Sequence, residues 1–156
     1  MKKNRYKIVP SCYLVLIKGN KTLLTRRCNT GFEDGNYGLV SGHGEKNETF
    51  TDSLIREVFE ESGLKVKKPD IKVAHVMHRK GSSDERVDVF FVAKKWSGKL
   101  KIMEPEKCDD MDWFDLNNLP KNTIDYIVVA INSIRKGFFY SEYGWTLRHS
   151  TPSCPR

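Results

Sequence analysis

The sequence has no long apolar run, no paired cysteines and no cluster of histidines, and each absence removes a class of protein. No stretch approaches the ~20 consecutive apolar residues needed to span a bilayer. The longest, Tyr13–Ile17 and Ile127–Ile131, end within a few residues in charge or polarity, so no membrane partner is expected. The basic start, Met1–Lys7, is followed by neither a signal-peptide core nor a small-residue cleavage site, which sets the expectation of a cytoplasmic protein. Cys12, Cys28, Cys108 and Cys154 are scattered without a Cys-x-x-Cys pair. That spacing argues against a zinc site or a disulfide framework and for reduced thiols. His75 and His78 stand three apart in a strand-like run, which turns them to opposite faces rather than toward one metal.

What is present reads as one soluble globular domain over residues 1–156, with a tail after about 141 expected to be loosely held. Hydrophobic residues make up 38% and charged residues 30%, enough of the first to bury a core. The net charge of +7 suits an anionic partner. The lysines are dispersed rather than gathered into a run, which favours a solvated surface over a nucleic-acid site. A small phosphorylated ligand fits equally well, and either a monomer or a homodimer is compatible.

Pro10–Ile17 and Lys21–Arg27 read as strands joined by the turn Lys18-Gly19-Asn20, a hairpin. A polar loop covers Cys28–Asn36, a short strand Tyr37–Val40, and a flexible turn Ser41–Gly44. Periodicity then predicts a helix over Thr49–Ser62, with Leu54, Ile55, Val58 and Phe59 as its apolar stripe and Gly63 as its stop. Strands are predicted over Ile71–His78, Arg86–Lys95 and Met111–Asp115, with an irregular acidic stretch at Lys99–Asp110. A second helix is predicted over Thr123–Lys136, capped by Asn122, with Ile124, Ile127, Val128, Ile131 and Ile134 inward. Strands interleaved with two helices give an α/β class.

The chemistry is concentrated in Gly42–Leu64. At 100° per residue, Glu57, Glu60 and Glu61 fall in one sector about 100° wide, beside the apolar one. Two carboxylates ~5 Å apart repel by roughly 3 kcal/mol at an effective dielectric of ~20, a cost that solvent or a divalent cation relieves. Hard oxygen ligands select Mg²⁺, with Mn²⁺ as a substitute, over zinc. Such an ion also binds phosphate oxygens and activates water. Arg56 is placed to pair with Glu48 across the loop–helix junction, a structural role for both. Gly42 allows the backbone to approach a metal closely.

The segment reads Gly42, five residues, Glu48, seven residues, Arg56-Glu57-Val58, one residue, Glu60-Glu61, one residue, Gly63-Leu64. It resembles the Nudix box, G-x5-E-x7-R-E-U-x-E-E-x-G-U with U bulky and aliphatic, and meets every specified position. Ser41, where glycine is frequent, and Gly44, where a larger residue is common, are mild departures. Leu23–Arg27 and Asp112-Trp113-Phe114 with Leu119-Pro120 look like the family's second strand and its late strand and turn. The resemblance implies an α/β/α sandwich with a mixed central sheet. It implies hydrolysis of a nucleoside diphosphate linked to another moiety, X. It also implies that Glu57, Glu60 and Glu61 hold Mg²⁺, with the Gly42 carbonyl as a further ligand.

Of the substrates this allows, a (d)NTP cleaved to a nucleoside monophosphate and pyrophosphate is the first reading. A nucleotide sugar or another diphosphate derivative is the alternative, and a non-catalytic nucleotide-binding regulatory module a third. Beyond the box, Glu104 in Met103-Glu104-Pro105-Glu106 is the candidate proton acceptor, ahead of Glu106. Arg27, Phe32 and Tyr37 are the candidate substrate contacts, with Trp145 as a further stacking surface.

Overall fold

The computed structural model describes residues 6–145. Its strands are β1 (Val9–Lys18), β2 (Lys21–Arg27), β3 (Tyr37–Gly38), β4 (Val40–Gly42), β5 (Leu64–Lys65), β6 (Ile71–Lys80), β7 (Glu85–Ala93), β8 (Ser97–Gly98), β9 (Cys108–Asp115) and β10 (Tyr140–Tyr143). The helices are α1 (Phe50–Ser62) and α2 (Asp125–Arg135). The principal sheet runs β10-β6-β7-β1-β2-β3, with β4 added on β1 and β9 on β2. It is mixed: β1 is parallel to β7 and β10 to β6, while the other pairs are antiparallel.

Alternation along β1 builds two cores. Cys12, Leu14 and Leu16 point to one face, where they meet Leu54 and Val58 of α1. Tyr13 and Val15 point to the other, against Ile127 and Ile131 of α2. One helix on each face of a mixed sheet is the α/β/α sandwich the sequence predicts. Strand β1 also changes partner along its length. Cys12 to Leu14 pair with β4, and Ile17 and Lys18 pair with β2.

Helix α1 begins where expected. Thr49 caps it, its hydroxyl accepting the Asp52 N–H, and Gly63 closes it with φ of 70°, a left-handed conformation that suits glycine. Its buried stripe is Leu54, Val58 and Ser62, so Phe59 does not join the core. Phe59 sits 100° around the helix from Val58 and is 46% exposed, with the Lys65 ammonium 5.5 Å from its ring centre.

Several other local expectations are corrected. The single strand over Tyr37–Val40 is two, because β3 pairs with β2 and β4 with β1. Ser41 and Gly42 belong to β4 rather than to a flexible turn. Strand β9 starts at Cys108, since its ladder with β2 runs back to Arg27. Asn122 does not cap α2: its amide donates to the Gly35 carbonyl at 2.8 Å, and Ile124 occupies the cap position without a side-chain bond. The start of the tail forms β10, after which the Trp145 indole N–H donates to the His78 carbonyl at 3.1 Å. Its remainder, with Cys154, lies outside the described residues. No helix among the described residues is long and apolar enough to cross a membrane.

Candidate active site

The carboxylate sector of α1 is graded in depth, and helix geometry explains the order. Glu61 follows Leu54 by seven residues, within 20° of the same side, so it is the innermost of the three. Glu57 lies 40° further round and Glu60 a further 60°. Their side chains are accordingly 20% and 50% exposed. Burial pushes the Glu61 carboxyl up to about 8, with the nearby charges of Glu57 and Glu104 adding to it. The Ser41 N–H and Arg27 act in the opposite direction. Burial also raises Glu57, opposed by Arg56.

Arg56 organises the outer part of the sector. Its Nε and Nη2 donate to the two oxygens of Glu48 at 2.9 and 3.0 Å, a bidentate pair. Its Nη1 donates to both Glu57 and Glu60 at 3.0 Å. The bond from Arg56 is the main reason the Glu48 carboxyl lies below its ordinary value. Arg56→Ala is expected to lower Tm by about 5 °C and activity by about tenfold, since it frees the box loop and leaves three carboxylates uncompensated. A thermal melt beside steady-state kinetics checks this; unchanged Tm with selective loss of substrate affinity would show a direct ligand role instead.

Gly42 closes the inner side. A Cβ there would lie 2.6 Å from Glu57 Cγ and 3.1 Å from Ser53 Oγ, so only glycine fits without displacing Glu57. The Cys12 thiol donates to the Gly42 carbonyl at 3.2 Å.

The acidic stretch before β9 is strapped to the end of α1. The Met103 N–H donates to the Glu61 carbonyl at 3.1 Å and the Lys101 N–H to that of Ser62 at 3.0 Å. This brings Glu104 close enough to raise both Glu57 and Glu61. The Lys107 ammonium holds Glu104 at 2.8 Å. Glu106 faces elsewhere, its carbonyl accepting from the Asn29 amide.

The other half of the site is a cleft of about 410 Å³ beside the start of α2, lined among others by Phe32, Asn36, Arg79, Asn122, Asp125 and Tyr126. Arg27 Nε donates to the Phe32 carbonyl at 2.7 Å and its Nη2 to Thr30 Oγ1 at 3.0 Å. Asp34 accepts from the Thr30 and Gly31 N–H groups, fixing the same loop. Arg27 thus stands between the loop bearing Phe32, which is 49% exposed, and Glu61, which its charge reaches. Tyr37 is placed differently from its sequence reading. It is buried, edge-on to Phe114 at 4.9 Å, with its hydroxyl on Asp110, so its ring packs in the core rather than facing the cleft.

Sequence reasoning missed Arg79 and Asp88, a buried ion pair on the cleft floor, where the Arg79 guanidinium also lies 4.0 Å from the Tyr126 ring. Its signal was an aspartate alone in the apolar run Val87–Val92, which demands a buried partner. It also missed His43, whose Nε2 accepts from Arg86 Nη1 at 3.1 Å and which burial and Arg86 hold below its ordinary value.

A deep carboxylate face at one end of a mixed sheet, next to a polar cleft, is suited to cleaving phosphorus anhydrides. The NUDIX domain family matches residues 7–130. An ADP-ribose pyrophosphatase of Methanocaldococcus jannaschii is 32% identical over 131 residues, covering 81% of this chain and 74% of that protein. An NAD-capped RNA hydrolase NudC of Pseudomonas putida is 29% identical over 114 residues, 73% of this chain but 39% of the relative's length. The crystal structure of a MutT NUDIX hydrolase from Burkholderia pseudomallei shares the fold, with a TM-score of 0.75 at 22% identity over 81% of this chain and 98% of that one.

The chain belongs to the Nudix family. It is a Nudix pyrophosphohydrolase acting on nucleoside diphosphate derivatives, a family of enzymes that generally use divalent metal ions.

The donor set fits such an ion. Glu57, Glu61 and Glu104 crowd together, and the resulting lift of Glu61 to about 8 marks a place where positive charge is wanted. No three acidic, histidine or cysteine side chains among the described residues already enclose a point a cation could fill. Arg56 is the physical reason on the outer side, its Nη1 shared by Glu57 and Glu60.

Proposed function

We propose that the chain hydrolyses a nucleoside diphosphate joined to a sugar, ADP-ribose before others, in a Mg²⁺-dependent reaction, with Mn²⁺ able to substitute. The observation that carries the metal reading is the buried, charge-crowded carboxyl of Glu61 beside Glu57 and Glu104. Glu57, Glu60, Glu61 and the Gly42 carbonyl are the ligands. Arg56 exchanges Glu57 and Glu60 for the cation while its bidentate pair with Glu48 keeps the box loop in place. When bound, the ion supplies charge neutralisation for the phosphates and a lowered pKa for the attacking water.

The remaining work falls to the chain's own groups. Glu104, outside the ligand set and oriented by Lys107, takes the proton from water. Glu57 is the weaker base, since commitment to a cation lowers its basicity. Glu104→Gln is expected to lower kcat by about a hundredfold and to flatten the acidic limb of the pH–rate profile. A variant that keeps both, beside a Glu57→Gln that loses both, would transfer the role to Glu57. Phe32 stacks on the base at the cleft mouth, and Arg27 faces the phosphates. Phe32→Ala is expected to raise KM by up to about tenfold with kcat little changed, matching about 0.5–1.5 kcal/mol for an aromatic pair; unchanged KM would remove Phe32 from the site.

The sugar-linked substrate is placed ahead of a (d)NTP because the relative matching over most of both chains is named an ADP-ribose pyrophosphatase. The test is a panel of ADP-ribose, other nucleoside diphosphate sugars and (d)NTPs with Mg²⁺, with products resolved by chromatography. Nucleoside monophosphate plus sugar phosphate is expected. Pyrophosphate release from a (d)NTP as the fastest reaction would restore that substrate, and turnover of none would leave a binding module.

A further inference from the structure

We propose that Cys12 and Ser53 are positioning residues that aim the Gly42 carbonyl at the divalent cation. The inference rests on the reading of Gly42 as a ligand and concerns what holds that ligand, which no box position specifies. Two observations carry it. First, the Gly42 carbonyl accepts a hydrogen bond from the Cys12 thiol at 3.2 Å, in a spot where Cys12 has no exposed surface. A carbonyl oxygen has two lone pairs, so a donor on one leaves the other free and fixes its direction. Second, the Ser53 hydroxyl is fully buried and meets no hydrogen-bond partner. An orphaned buried hydroxyl costs about 1–3 kcal/mol, so its retention calls for an explanation.

Placement supplies that explanation. Ser53 Oγ lies 3.1 Å from where a Gly42 Cβ would stand, and Cys12 Sγ lies 3.4 Å from the same point. The hydroxyl is also near enough to bias both the Cys12 thiol and the Glu48 carboxyl, though it meets neither at bonding geometry. It therefore fills the gap between the Arg56–Glu48 clamp and the Cys12–Gly42 contact. A small shift of the Gly42 backbone toward a cation lets Ser53 bond to either neighbour. The arrangement links the clamp on the outside of the box to the backbone ligand on the inside. Cys12 belongs to β1 and Ser53 to the first turns of α1, so sheet and helix jointly set one oxygen.

Groups that orient metal ligands typically govern affinity by about 10- to 100-fold. The experiment measures Mn²⁺ dissociation constants by electron paramagnetic resonance on substrate-free protein, for the wild type, Cys12→Val, Cys12→Ser, Ser53→Ala and Glu61→Gln. Thermal melts confirm folding. Cys12→Val keeps bulk without a donor and is expected to weaken Mn²⁺ by about 10-fold or more. Cys12→Ser restores a donor and should stay within about threefold of wild type; Ser53→Ala should fall between them. If Cys12→Val does not fold, Cys12→Ala against Cys12→Ser makes the same comparison. Equal affinities in the donor and non-donor variants, whether both high or both low, overturn the proposal. In that case a large loss in Glu61→Gln leaves the metal site itself standing. If Glu61→Gln binds Mn²⁺ as the wild type does, the metal reading falls, and this inference with it.

Discussion

Glu61→Gln is expected to lower kcat/KM by about a thousandfold or more, equivalent to about 4 kcal/mol of barrier, while leaving the protein folded. The substitution keeps the volume of a side chain that sits almost directly above Leu54 on the helix, so packing is preserved. It removes the ligand charge at the deepest point of the carboxylate sector, where burial makes a charge–cation contact strongest. Glu60→Gln should lose activity on the same scale by removing a second ligand, though its greater exposure predicts the smaller effect of the two. Steady-state kinetics with Mg²⁺ titrated to saturation measure this. Near-wild-type rates in both variants would remove the helix as the metal site.

The second large effect is on stability without metal. Glu61 titrates near 4.5 when unfolded and about 8 in the fold. Between those values the native state holds a proton that the unfolded state has released. Stability from this group is therefore full below about pH 4.5 and is lost as pH rises toward 8. Glu57, raised by burial, has the same sign. His43 and His75, held below their ordinary values by burial, have the opposite sign, but their contribution is complete once pH exceeds about 6.5. Cysteine thiols raised by burial begin to act only near pH 9. The clean window is thus pH 7 to 8. There the metal-free protein should lose about 3 °C of Tm per pH unit. Glu61→Gln should flatten that slope and be the more stable protein at pH 8. Mg²⁺ should stabilise the wild type more at pH 8 than at pH 6, because binding needs the ionised carboxylate. Differential scanning calorimetry in chelator decides it; a wild-type Tm that is flat or rising over this window refutes the assignment.

Both expectations begin in a pattern visible in the sequence. Local features were legible: the hairpin at Lys18–Asn20, the caps of α1, the shared face of Glu57, Glu60 and Glu61, and the reach of Arg56 to Glu48 all depend on residues within about eight positions. What was not legible depends on register between distant segments. Tyr37 looked like a loop-edge aromatic, but pairing of β3 with β2 and the approach of Phe114 and Asp110 from β9 draw it inward. The nearness of Glu104 to the box comes from backbone bonds of Lys101 and Met103 to the end of α1, which no periodicity encodes. The depth order of the three glutamates could have been drawn from the helix wheel once Leu54, rather than the whole stripe, was taken as its centre.

The change of partner along β1 bears on how the chain avoids misfolding. This strand sends alternate residues into two separate cores while its first half pairs with β4 and its second with β2. A slip of one residue would turn Tyr13 and Val15 toward α1 and Cys12, Leu14 and Leu16 toward α2, exchanging every side chain between faces. Large aromatic and small aliphatic volumes would then be misplaced in both cores together. The neighbouring pairs would fall out of step as well, since β1 sets the register for strands on either side. No near-native alternative shares half of the correct contacts, so the competing arrangements are separated from the native one by a wide energy gap.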